Sequence, residues 1–235
     1  MTKAKRTSFL NDEQLKEFNA RYCITGLHQQ TGVLDTGALR GFIRSPFSPL
    51  IYTSATQVST QSGFAGPEIS GTRKGIILGS MFIDAMTEEE QWQDLLAGKK
   101  VSPIMFPQIV PSSILGFVNK ELSVYGPMTC ISPSPQADGV GIILRQAADW
   151  LEDGLADIVL ILLCDVPSLR AKQWAREAAH PDNPTRELAG GIVSWVMESE
   201  EHAAGRGAAN VCTVQEFYDQ LQPERGVGMA RQFWT

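Results

Sequence analysis

The sequence predicts an α/β domain built around a largely buried sheet, and three observations predict it. Short apolar runs at residues 75–79, 156–164 and 189–197 alternate with helical patterns. The run at 156–164 is almost continuously apolar, as expected of a strand covered on both faces. Helix-start patterns, notably Thr87-Glu-Glu-Glu90 and Thr213-Val-Gln-Glu216, and glycine stops punctuate the spaces between.

The elements follow in order. Residues 1–20 are polar and charged, a loose arm or a short helix. Residues 21–27 read as a first strand ending in a glycine turn. Residues 28–72 are rich in Gly, Ser, Thr and Pro and show no clear period. A second strand spans 75–79. Thr87 is the expected N-cap of a helix that stops at Gly98. Three prolines in 102–111 predict a loop or broken structure, and 112–119 a short helix. Residues 128–132 suit a strand. The helix over 137–152 places Val140, Ile143, Leu144, Ala147 and Leu151 on one face, and Gly154 closes it. A strand at 156–164, a helix at 168–178, a loop at 179–187 and a strand at 189–197 follow. Ser199 caps a short helix ending at Gly205 and Gly207, and a second capping box opens a helix to about Leu221.

Composition excludes several classes. The chain has 235 residues, is 43% hydrophobic and carries a formal net charge of -6, enough to bury a core in one domain or two small ones. An acidic chain whose nearest basic run is Lys3-Ala-Lys-Arg6 is a poor partner for nucleic acid or anionic membrane. The polar N-terminus lacks the apolar core of a signal peptide, and no apolar run reaches the ~18 residues that span a bilayer, so the expectation is a soluble, cytoplasmic protein. Cys23, Cys130, Cys164 and Cys212 lie far apart without a CxxC, which predicts reduced thiols rather than a disulfide or zinc site. No cofactor or metal is called for.

Six segments in order carry a resemblance. They are Cys23-Ile-Thr-Gly26, Lys74-Gly-Ile-Ile-Leu-Gly-Ser80, Phe106-Pro-Gln-Ile-Val-Pro111, Tyr125-Gly-Pro127, Gly154-Leu-Ala-Asp-Ile-Val159 and Val196-Met-Glu-Ser-Glu-Glu-His-Ala-Ala-Gly-Arg-Gly-Ala208. Each is weak alone. Together, across residues 21–208, they resemble the β-ketoacyl synthase family, the Glu-Glu-His-Ala…Arg-Gly-Ala stretch most specifically. The resemblance implies a thiolase-like, layered α/β/α fold. The match covers mainly the first βαβαβ half, with the second half missing or reduced. The implied division is an N-terminal arm over 1–20, a ketosynthase-like half domain over 21–209 and a short C-terminal remnant over 210–235.

Working ketosynthases place Cys-Ala-Ser-Gly at the elbow between strand and helix. The matching residues here are Gln136-Ala137-Asp138-Gly139. Gln at this place resembles the chain-length-factor branch, the ketosynthase β-subunit of type II polyketide synthases, which commonly reads Gln-Ala-Gly-Gly. Asp138, and the prolines at 133 and 135, depart from that pattern. A thioester-forming site needs a thiolate, and an amide cannot supply one. Gln136 donates a hydrogen bond to a carbonyl or enolate, or it merely fills the elbow. Cys130 lies six residues too early, inside a strand. The family's two catalytic histidines lie in the second half of the fold, whereas His28, His180 and His202 are all this chain has. His28 and His180 read as surface loop residues, and His202 falls on a structural helix.

The resemblance implies further residues. Gln108, Ile109, Ser112, Ser113 and Leu115 match the stretch that limits tunnel depth; Gln108, Ile109, Ser112 and Leu115 share a side if the stretch is helical. Alternatively they simply pack a proline-broken loop. Met128, Cys130 and Ser132 lie on the strand through which such proteins pair. A lone half would leave a sheet face uncovered, so the expected partner is a complete, Cys-bearing ketosynthase, with acyl carrier protein engaged mainly through that partner. The leading expectation is a chain-length factor, a non-catalytic acyltransferase subunit that limits chain length during malonyl-based elongation. The alternatives are a self-standing malonyl decarboxylase or acyltransferase, and a non-catalytic scaffold.

Overall fold

The computed structural model describes residues 12–32, 37–100, 102–133, 138–178 and 190–221. Its centre is a six-stranded mixed sheet. The strands are β1 (Tyr22–Thr31), β2 (Lys74–Gly79), β3 (Met128–Ile131), β4 (Ile158–Asp165), β5 (Gly191–Ser199) and β6 (Cys212–Thr213), in the order β3-β2-β4-β5-β1-β6. β2 runs parallel to β3 and β4, while β5 is antiparallel to both its neighbours, β4 and β1. Every residue of β2 and β4 is buried, which explains their unbroken apolar sequences.

Helices cover both faces. On one lie α2 (Phe47–Ser62) and α4 (Pro111–Glu121), whose Leu50, Ile51, Val58, Ile114 and Val118 pack against Ile76, Leu78, Leu160 and Leu162. On the other lie α1 (Asp12–Arg21), α5 (Gly139–Glu152), α6 (Leu169–Ala178) and α8 (Val214–Leu221), packed on Ile77, Val159, Ile161 and Trp195. α3 (Ala85–Leu96) follows β2, and α7 (Glu200–Gly205) follows β5. The uncovered sheet face expected from the sequence is therefore not found among the described residues. The helix of the N-terminal segment and the helix of the C-terminal segment both join the core that α5 builds.

Several boundaries differ from expectation, each for a local reason. α2 occupies the stretch without a clear period. Its buried face includes Ser48, Ser54, Ser59 and Ser62 beside the apolar residues, so no clean amphipathic stripe marks it in the sequence. Its hydroxyls bond back to its own turns, Thr56 Oγ1 to the Tyr52 carbonyl at 2.9 Å and Thr60 Oγ1 to Thr56 at 2.9 Å. The N-cap of α3 is Asp84, not Thr87: the Asp84 carboxylate accepts from the Thr87 backbone N–H. β1 continues to Thr31, so His28 stands in a strand rather than a loop. It is half-buried, with Nδ1 2.6 Å from Ser54 Oγ, and burial lowers its basicity. The capping boxes at Ser199 and Thr213 form as expected, with Ser199 Oγ accepting from His202 N at 3.1 Å and Thr213 Oγ1 from Glu216 N at 3.1 Å.

Candidate functional site

The elbow end of the sheet is built by the loops that leave β2, β3 and β4. Gln136 lies outside the described residues, as does His180; the residues flanking the elbow are in place. Ser132 is exposed and donates to the Met81 carbonyl at 3.4 Å. Asp138 is the N-cap of α5: its Oδ1 accepts from Gly141 N at 2.8 Å, and its Oδ2 accepts from the Tyr218 hydroxyl of α8. The helix N-terminus that would steady an anion thus already faces the chain's own carboxylate.

Beside the elbow, Asp165 closes β4 with no exposed surface. Three donors converge on it, Ser80 Oγ at 2.8 Å, Phe82 N at 3.0 Å and Met81 N at 3.1 Å. Burial pushes its carboxyl up to about 7 against the pull of those donors. The Ser80 hydroxyl also accepts from Ile83 N at 2.7 Å, and Ile83 takes a positive φ of 53°. The sequence reading missed this tie, since nothing in a strand-final Asp announces the backbone loop it holds.

Neither described histidine reaches the elbow. His28 faces α2 and Ser54, on the opposite side of the sheet from α5. His202 sits at the other end of the strands, where Glu198 pairs with Ile158 at the start of β4, whereas Asp165 pairs with Gly191. There His202 belongs to a buried ion cluster. Glu198 has no exposed side-chain surface; it receives Arg206 Nε at 2.8 Å, Arg206 Nη2, Thr25 Oγ1 at 2.5 Å and His202 Nδ1 at 2.6 Å. Burial pushes the Glu198 carboxyl up, but these bonds outweigh it and hold it below its ordinary value. The Glu-Glu-His-Ala…Arg-Gly-Ala stretch is thus a structural clamp joining β1, β5 and α7.

Cys130 sits within β3, half-buried against the α2 and α4 side of the core, and burial raises its thiol. That is the wrong face and the wrong protonation state for a nucleophile at the elbow.

The residues expected at the tunnel do not share one helix. Gln108 and Ile109 end a 3-10 helix over Pro103–Ile109, and Val110 is extended before α4 begins at Pro111. Gln108 is buried and occupied: its Oε1 accepts from Ile43 N at 2.7 Å, and its Nε2 donates to the Ile104 carbonyl at 3.2 Å. Leu115 is core, Ser113 is half-buried and Ser112 is exposed. Of the interface residues, Met128 is 43% exposed and Cys130 half-buried, on a strand that among the described residues has a partner on one side only.

No known family profile matches the chain. The nodulation protein E of Rhizobium leguminosarum bv. trifolii is 29% identical over 196 residues, covering 75% of this chain and 48% of that protein. The chain therefore spans about half the length of this curated relative. Among solved structures, the complex AntDE:AntF, a type II PKS acyl-carrier protein with its ketosynthase bound to the hexaketide, aligns at TM-score 0.64 and 18% identity, covering 82% of this chain and 66% of that one. The ishigamide ketosynthase/chain length factor aligns at TM-score 0.64 and 15% identity, covering 81% of this chain and 61% of that one. The strand order, the two helical layers and these neighbours agree: the chain has the thiolase-like fold of the ketosynthases.

Proposed function

We propose that this chain is a chain-length-factor subunit of a type II polyketide synthase. It pairs with a complete, Cys-bearing ketosynthase and helps to set how long an acyl chain that partner builds from malonyl units on an acyl carrier protein. The observation that carries the reading is the chemistry around the elbow. The family's nucleophile position holds Gln136, the helix start behind it is filled by Asp138 and Tyr218, and both described histidines stand elsewhere. Such a site forms no thioester, so its role in an acyl-transfer system is that of a companion subunit.

The partner surface is the outer edge of β3. Unpaired strand edges are liabilities that proteins cover, and this one carries exposed Met128 with exposed Tyr125 just before it. Strand addition by the partner satisfies the open backbone groups and buries both side chains. Gln108, Ile109, Ser112, Ser113 and Leu115 border the partner's tunnel through α4 and the 3-10 helix before it, with Ser112 as the accessible contact.

Co-expression with a full-length ketosynthase from the same gene neighbourhood tests the proposal. A stable heterodimer is expected, and Met128→Lys lowers its affinity at least ~10-fold by placing a charge on the strand edge. A chain that never co-purifies with the ketosynthase refutes the pairing. Malonyl-carrier-protein turnover by the isolated chain would favour the self-standing enzyme instead.

A further inference from the structure

On the α5 side of the sheet, helices from the two ends of the described chain lie beside α5 and cover β1 and β5. α8 lays Phe217 on Trp195 of β5, ring centroids 4.5 Å apart. α1 lays Phe18 against Tyr22 at 5.5 Å and beneath the Arg145 guanidinium of α5 at 6.0 Å. The two helices are tied to each other, since Asn19 Oδ1 of α1 accepts from Gln215 N at 2.7 Å and so caps α8. Tyr218 then reaches past α5 to Asp138 at its N-cap. Leu15, Phe18, Val214, Phe217, Tyr218 and Leu221 are all buried. Outward, α1 and α8 present Lys16, Glu17, Ala20, Glu216, Asp219 and Gln220. No large apolar residue of α1, α5 or α8 is exposed among the described residues; most of those that are gather elsewhere, at β3, α3 and the 3-10 helix before α4, while Ile43, Leu155, Leu169 and Val211 stand singly.

We propose that α1 and α8 form a built-in cap that seals the α5 side of the sheet in cis, so that this half-fold is stable without a partner and the partner is excluded from that face. The inference rests on the subunit reading only in naming what is excluded; the sealing itself stands on the packing. A polar outer surface over a fully buried apolar seam is what a solvent-facing cap needs. Had the face been left for a partner, apolar side chains would stand exposed there.

Two measurements on the full chain test it. The isolated protein should unfold cooperatively as a monomer, and Phe217→Ala should lower its melting temperature by roughly 10 °C and induce binding of a hydrophobic dye. Tyr218→Phe, which keeps the ring, should fold and lose only protection of the α5 amides from hydrogen exchange. An unchanged melting temperature in Phe217→Ala, or a wild-type chain that is dye-binding or aggregated alone, overturns the cap. Second, Ala20→Arg with Gln220→Arg should leave capture of the ketosynthase unchanged, and lost capture overturns the exclusion. If the wild-type chain melts cooperatively but captures no ketosynthase, the cap stands and the subunit reading falls.

Discussion

Glu198 and Asp165 occupy opposite ends of the sheet and respond oppositely to pH. Glu198 is held below its ordinary 4.5, so the stability it contributes is present above that value and is lost as pH falls through its folded value. Asp165 is raised from 3.8 to about 7 in the folded state, so it costs stability progressively as pH rises between those values. Stability against pH should therefore peak on the acid side of neutrality in urea titrations, and Asp165→Asn should flatten the slope between pH 4 and 7. Removing the clamp is costlier. Glu198→Ala leaves the half-buried Arg206 without its carboxylate and should destabilise the fold by about 3 kcal/mol, read from the denaturant midpoint. The motif containing Glu198 was the clearest in the sequence, and its spacing shows why: His202 and Arg206 return four and eight residues after Glu198, across α7, to meet one side chain. Asp165 was illegible, because its partners are backbone N–H groups eighty-odd residues away.

At the scale of elements, strands and capped helices were readable and α2 was not. β4 announced itself through eight consecutive buried residues. α8 announced itself through a box whose two halves both form, Glu216 Oε2 accepting from Thr213 N at 2.9 Å and Thr213 Oγ1 accepting from Glu216 N. α2 hides because serines stand on its buried face and blur the helix period, so that its Ser and Thr residues pass for loop. It lies so close to β1 that a Cβ on Gly26 would stand 2.8 Å from Ser62 Cβ and 3.1 Å from the Val58 carbonyl. Gly26→Ala should therefore push the helix off the strand and cost roughly 1–3 kcal/mol in thermal unfolding. The end of α4 offers the reverse. Ser123 holds φ 54° where the chain turns left-handed, and Val124 N closes on the Asn119 carbonyl at 2.8 Å. Ser123→Gly relieves that conformation and should raise stability by about 1 kcal/mol.

Across the whole molecule, acidity constrains what the chain binds. With a net charge of -6 it repels other acidic proteins at long range. An isolated acyl carrier protein, itself acidic, should show no saturable binding to this chain alone in a titration at physiological salt. On the subunit reading proposed above, the complex with a ketosynthase should bind it through a basic surface supplied by the partner. Saturable binding to the lone chain would reverse that assignment. The overall architecture was legible from the order of the six motifs; the closed α5 side of the sheet was not. Leu15 and Phe18 lie some two hundred residues from Phe217 in sequence yet in one cluster with it, and no local pattern links them.

The shortness of β6 has its own outcome. Among the described residues, β6 covers β1 at Cys23 and Ile24, and beyond the bulge Leu27 N finds a partner in Gln61 at 3.1 Å. The stretch from His28 to Thr31 is thus a second sheet margin, and it is written in amides, an imidazole and a hydroxyl rather than in branched hydrocarbons. Such a margin offers an incoming strand little apolar surface to bury. In a concentrated solution, self-association should start at the Met128 margin and leave this one untouched.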